Sequence, residues 1–122
     1  MVGVIDPDPV ARSGLRTLLH GLGVDVSTFD SAESYLLAAN GRHVACLIVD
    51  LLLPGMSGLE LLRRLRSAGN DVPVILLADE SDVPTAVAAM REGATDFIEK
   101  PYVDVAVLKQ VQKLLHTPPA HA

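Results

Sequence analysis

Val44-Ala45-Cys46-Leu47-Ile48-Val49 runs without a polar residue into Asp50, and Leu51-Leu52-Leu53-Pro54-Gly55-Met56-Ser57-Gly58 follows. The run is too short for a buried helix, so it reads as a strand covered on both faces. Its single charge falls at its C-terminal tip, and Pro54-Gly55 then breaks the chain into a loop. A buried strand that ends in a carboxylate offers that carboxylate for chemistry. Two other runs end the same way: Val2-Gly3-Val4-Ile5 in Asp6, and Val72-Pro73-Val74-Ile75-Leu76-Leu77-Ala78 in Asp79. In a parallel sheet such tips line up along one edge, which is where open α/β folds bind ligands. That edge is the candidate site.

Outward from this strand, apolar runs alternate with stretches of helical period, the pattern of βαβ units with helices on both faces of a parallel sheet. Strands are expected at residues 2–5, 24–28, 44–49, 72–78 and 95–99. Between them Val10, Leu15, Leu18, Leu19 and Leu22 share one helical face, as do Leu59, Leu62 and Leu65. Val83, Val87 and Met90 form a further stripe, and Val107, Leu108, Val111, Leu114 and Leu115 the last. Each stripe is expected to face the core. Ser57 with Glu60 three residues on is a capping box opening a helix that Gly69-Asn70 closes, while Gly23 and Gly93 end two others. The chain therefore reads as one α/β domain over residues 1–116, with Thr117-Pro118-Pro119-Ala120-His121-Ala122 as a linker or frayed tail.

A length of 122 residues suits a single domain, enough to bury roughly two-thirds of the surface its unfolded form exposes. Hydrophobic residues make up 49% of the chain, yet every apolar run falls far short of the ~20 residues that cross a bilayer. Met1 leads almost directly into the first strand, so no secretory leader is expected and the protein reads as cytoplasmic. The one cysteine, Cys46, lies inside a strand and reads as a small core residue in a reducing compartment. His20, His43, His116 and His121 are scattered without the spacing of a structural zinc site. A net charge of −5 with no basic cluster argues against direct contact with nucleic acid. The turn after the first strand has no glycine-rich cradle for a nucleotide cofactor.

Asp6, Asp50 with Pro54-Gly55-Met56-Ser57-Gly58, and Asp96-Phe97-Ile98-Glu99-Lys100-Pro101 together resemble the receiver domain of two-component response regulators, over essentially the whole chain. Ser57-Gly58-Leu59-Glu60-Leu61-Leu62, Asp82-Val83-Pro84 and the segment from Asp96 to Pro101 are most similar to the FixJ/LuxR-type branch. Members of that branch commonly carry a DNA-binding helix-turn-helix domain after the receiver, and none is expected within these residues. The resemblance implies a flavodoxin-like fold with strand order 2-1-3-4-5. It makes Asp50 the phosphoacceptor and places Mg²⁺ on Asp6, Asp50 and the backbone carbonyl of Leu52, where the metal neutralises the transferring phosphoryl group. It makes Lys100 the phosphate contact, a point charge reaching back from the last strand, with a cis Lys100-Pro101 bond. It also implies a histidine kinase or another signalling protein as partner, and a homodimer through the helix 4–strand 5–helix 5 face. Such a chain is a signalling module and not an enzyme.

Three positions depart from the receiver pattern. The pattern has two adjacent acids after the first strand, the second of which binds Mg²⁺; here the pair is Asp6-Pro7. Mg²⁺ requires near-octahedral oxygen donors, so a lost charged ligand weakens its binding. Asp8 is one substitute ligand, but with Pro9 behind it the residue reads better as the N-cap of the first helix. At the end of the fourth strand the pattern has Thr or Ser, and Ala78 offers no hydroxyl. The following position is usually small, whereas Asp79 and Glu80 stand here. Asp79 either repels an incoming phosphate or supplies the missing metal ligand. Phe97 matches the family's switch aromatic on strand five, and a core filler is the other reading.

These residues support an atypical receiver, with impaired or absent Mg²⁺-dependent phosphorylation at Asp50, acting as a protein–protein interaction and dimerisation module. The alternative is a conventional receiver taking phosphate on Asp50 from a histidine kinase. A third reading takes Asp6-Pro7-Asp8-Pro9-Val10 as similar to the D-x-D-x-V motif of haloacid-dehalogenase-like phosphohydrolases, with Asp6 as nucleophile and Asp8 as acid/base. Those enzymes need a Ser/Thr at the end of the next central strand and an acidic pair beyond the lysine. Ala78 and Lys100-Pro101-Tyr102-Val103 supply neither.

Overall fold

Strands β1 (Val2–Ile5), β2 (Val26–Phe29), β3 (Cys46–Asp50), β4 (Val74–Ala78) and β5 (Asp96–Glu99) pair in parallel in the order β2-β1-β3-β4-β5, in a computed structural model that describes residues 1–39 and 43–115. The expected tail at 117–122, and residue 116, lie outside the described residues. This is the flavodoxin-like order that the resemblance implies. β3 ends one residue later than expected: Asp50 is itself in the ladder, opposite Leu77 of β4. β4 begins two residues later, because Pro73 has no N–H to give the sheet. The Pro73 carbonyl still accepts from the Leu47 amide at 2.8 Å.

Helices α1 (Pro9–His20), α2 (Ala32–Ala38), α3 (Gly58–Ser67), α4 (Val83–Arg91) and α5 (Asp104–Leu115) connect and flank the strands, and a 3-10 turn at Glu80–Asp82 leads into α4. The caps follow the local sequence. Ser57 accepts from the Glu60 amide at 3.1 Å, Ser31 caps α2 through the Ser34 amide, and Asp8 caps α1 through the Val10 amide with Pro9 at the first helical turn. Because successive strand residues point to opposite faces, Leu47, Val49, Leu76 and Ala78 join a core under α2, α3 and α4. Cys46, Ile48, Ile75 and Leu77 join another under α1 and α5.

Three expected core positions turn outward. Val87 and Met90 of α4 are 46% and 38% exposed, while Ala86 and Ala89 are fully buried. The small side chains let the helix lie close to the sheet, and the larger apolar ones are left on its outer face. Val10 is 77% exposed, since it sits in the first turn of α1, at the edge of the sheet. On α3 the buried stripe is wider than expected, with Leu61 as deeply packed as Leu62. Among the described residues, no helix is long and apolar enough to cross a membrane.

Candidate functional site

Asp6 and Asp50 are the two buried charged side chains among the described residues, only 2% and 6% exposed. They arrive together because β1 and β3 are neighbours in register, Ile5 opposite Val49, so each chain delivers its carboxylate just past the same rung. Lys100, the residue after β5, reaches across β4 and donates from Nζ to Asp50 Oδ2 at 2.7 Å. The Lys100-Pro101 peptide is cis. The other Asp50 oxygen, Oδ1, accepts from the Leu52 amide at 3.0 Å. The start of α3 packs directly behind this residue. A Cβ at position 58 would stand 2.7 Å from the Asp50 carbonyl oxygen, so Gly58 is what lets the helix begin there.

Asp6 is held by the turn that follows it. Its Oδ1 accepts from the Asp8 amide at 2.9 Å, and its carbonyl accepts from Arg12 Nη1 at 2.7 Å. Burial raises the Asp6 pKa; the Asp8 N–H and the Lys100 charge pull it down, and repulsion from Asp50 adds to the rise. For Lys100, burial works against the ammonium, but the hydrogen bond and charge of Asp50, with Asp6 and Asp79 behind them, leave its pKa above the ordinary value. Tyr102 is raised chiefly by burial, and next by Asp6. Two carboxylates against one ammonium leave a negative balance at a water-accessible edge.

Each residue picked from the sequence can now be placed. Asp8 caps α1 with its carboxylate, accepting from Val10 N at 3.0 Å. Asp79 lies in a shallow cleft with Lys100, Pro101 and Tyr102. Among the described residues, no group of three or more His, Cys, Asp or Glu side chains is placed to hold a metal ion. Ala78 is buried at the end of β4, and Phe97 is half-buried against the core cluster that includes Ala78. Leu52 is 57% exposed beside Asp50. Asp6 and Asp50 bring two carboxylates to the same edge of the sheet, oxygen donors of the kind Mg²⁺ takes; Pro7 adds no donor beside them.

Sequence reasoning missed Arg12, which fixes the Asp6 carbonyl, and Glu33, whose Oε2 accepts from the Met56 amide at 3.2 Å. It also missed Arg66, which donates to the carbonyls of Asn70, Val72 and Gly93 and so ties α3 to the loop before β5. A charged residue in a helical stretch carries no mark of a distant backbone partner, so nothing in the sequence pointed to these bonds.

The comparisons with known proteins agree with this arrangement. Residues 2–112 match the response regulator receiver domain family, and the chain belongs to it. The transcriptional regulatory protein FixJ of Bradyrhizobium diazoefficiens is 37% identical over 112 residues, 92% of this chain and 55% of that protein. FixJ of Azorhizobium caulinodans is 41% identical over 114 residues, 93% of this chain and 54% of that protein. The chain thus spans about half the length of these curated relatives. Among solved structures, the receiver domain of NtrX from Brucella abortus superimposes with a TM-score of 0.89 at 30% identity, covering 97% of this chain and 100% of that one. Full-length FixJ from B. japonicum gives 0.88 at 36% identity, covering 93% of this chain and 56% of that one.

The chain is therefore a receiver domain of a two-component response regulator, with FixJ-type relatives. Receiver domains are signalling modules that interact with histidine kinases and generally bind Mg²⁺. That membership sets aside the phosphohydrolase reading of Asp6 and Asp8.

Proposed function

We propose that this domain is an atypical receiver, in which Mg²⁺-dependent phosphorylation of Asp50 is impaired and the fold serves as a regulatory protein–protein interaction and dimerisation module. The observation that carries the proposal is the surroundings of the Asp50–Lys100 pair. Pro7 stands beside Asp6 where the family has an acid, Ala78 ends β4 without a hydroxyl, and Asp79 shares the Lys100 cleft. In this reading Asp50 is the phosphoacceptor, Lys100 contacts the phosphoryl oxygens as a point charge, and Ala78 and Phe97 occupy the switch positions.

Asp6, Asp50 and the Leu52 carbonyl would hold Mg²⁺, which when bound supplies charge neutralisation for the transferred group. Residues 1–116 form the receiver, with 117–122 as a linker or tail. The chain is a cytoplasmic signalling protein and not an enzyme. Its partners are a histidine kinase or another signalling protein and a second copy docked through the α4–β5–α5 face, where Val87 and Met90 are exposed; the domain itself makes no contact with nucleic acid or membrane.

A second reading, the conventional phosphorylation-dependent receiver, is favoured by the direct 2.7 Å contact between Lys100 and Asp50. Intact-mass measurement after incubation with Mg²⁺ and acetyl phosphate separates the two, with Asp50→Asn as control. The proposal expects a phosphoryl increment on at most a minor fraction of wild type. Labelling of most of the wild type, and none of Asp50→Asn, would overturn it in favour of the conventional reading.

A further inference from the structure

Beyond the Leu51 amide, which still donates to the Leu77 carbonyl of β4 at 2.9 Å, the loop between Asp50 and α3 is tied down at three places. At its root the Leu52 amide donates to Asp50 Oδ1 at 3.0 Å, and at its end the Gly58 amide donates to the Leu51 carbonyl at 3.0 Å. The third tie comes from outside the loop: Glu33, in the first turn of α2, accepts from the Met56 amide at 3.2 Å. Position 55 shows how closely this carboxylate is seated. Gly55 has φ +74, and a Cβ there would stand 2.5 Å from Glu33 Oε2. The positive φ calls for glycine, and the close approach means that a side chain there would push the Glu33 carboxylate aside.

We propose that Glu33 is a positioning residue for the site: by holding the Met56 amide from α2, it fixes the loop that carries Leu52 and so the backbone around Asp50. The proposal rests on the reading of Asp50 and the Leu52 carbonyl as phosphoacceptor and metal ligand. Glu33 touches neither group and acts through the loop. A hydrogen bond to a charged acceptor is worth enough to bias a short loop even at the surface. It also makes α2 mechanically continuous with the site. The Glu33 charge contributes at longer range as well, and the test must separate that from positioning.

The test is amide hydrogen exchange and ¹H–¹⁵N spectra of the metal-free protein, followed by Mg²⁺ titration, for wild type, Glu33→Ala, Glu33→Gln, Glu33→Asp and Gly55→Ala. Glu33→Ala is expected to speed exchange at Met56 and at Leu52 by about three- to tenfold, while β1 and β3 amides keep their wild-type rates. Glu33→Gln retains an oxygen acceptor without the charge and should stay within about twofold of wild type. Should Glu33→Ala fail to fold, Glu33→Asp, one methylene shorter, is expected to speed exchange at the same two amides, and Gly55→Ala, which strains the loop at φ +74, marks the rates of a loop that is disturbed directly. Weaker Mg²⁺ binding in Glu33→Ala but not in Glu33→Gln supports positioning. An unchanged Leu52 amide in Glu33→Ala, or equal effects of Gln and Ala, overturns the proposal. Lack of Mg²⁺ binding by wild type would count against the metal-ligand reading alone, because the exchange rates are measured without metal.

Discussion

The centre of the site and its rim differ in what holds them. At the centre Asp50 meets Lys100 at 2.7 Å, and its second oxygen is taken by the Leu52 amide. At the rim Pro7 and Ala78 bring no polar side-chain group, and Asp79 brings a charge of the sign that opposes phosphate. A buried carboxylate without a cation is costly whatever the domain does. Folding alone therefore calls for the Asp50–Lys100 pair, whereas Pro7 and Ala78 leave no buried side-chain polar atom without a partner among the described residues. An intact centre is therefore weak testimony for phosphorylation, and the rim is the better witness.

The largest effect expected from breaking this contrast is at Lys100. Lys100→Met leaves two buried carboxylates without their ammonium. Removing one partner of a fully buried pair costs about 3–5 kcal/mol; with the lysine side chain still 28% exposed, a loss of about 2 kcal/mol is expected. Urea unfolding at neutral pH measures it, and an unchanged midpoint would show that the pair carries no folding role. The next effect lies at the rim. Pro7→Asp restores a second acid beside Asp6 and should tighten Mg²⁺ binding by about tenfold, read by titration of the Asp50 and Leu52 amide signals. No change in affinity would mean that position 7 does not limit the metal site.

The smallest effect is at Asp6, and its size depends on pH. The folded pKa of Asp6 is raised above the ordinary 3.8, so between 3.8 and the folded value the native state binds more protons than the unfolded chain. Stability contributed by this group falls as pH rises through that window, and the cost persists above it. Asp6→Asn keeps an oxygen to accept from the Asp8 amide but carries no charge. Its unfolding midpoint should exceed that of wild type at pH 7 and converge with it below pH 3.8. A variant less stable than wild type at neutral pH would contradict this.

The fold was legible where the sequence had one solution. The apolar runs form β1, β3 and β4 with Asp6, Asp50 and Asp79 at their tips, and Ser57, Asp8 and Gly23 act as the helix punctuation they resemble. It was less legible on α4, where the apolar stripe of Val83, Val87 and Met90 predicts the wrong face for the core. Periodicity weighs side-chain size, but a helix lying close on a sheet needs small residues inward, and Ala86 and Ala89 fill that role. At the site, the carboxylates and the lysine were readable from strand ends. The bonds from Arg12 and Glu33 were not, because each joins segments whose proximity exists only after folding.

The most direct test of the account is intact-mass measurement of wild type beside the Pro7→Asp/Ala78→Thr double variant, both with Mg²⁺ and acetyl phosphate and each with its Asp50→Asn control. If the rim limits Asp50, wild type carries the phosphoryl increment on a minor fraction and the double variant on most of its molecules. Wild type labelled as fully as the double variant would contradict the account.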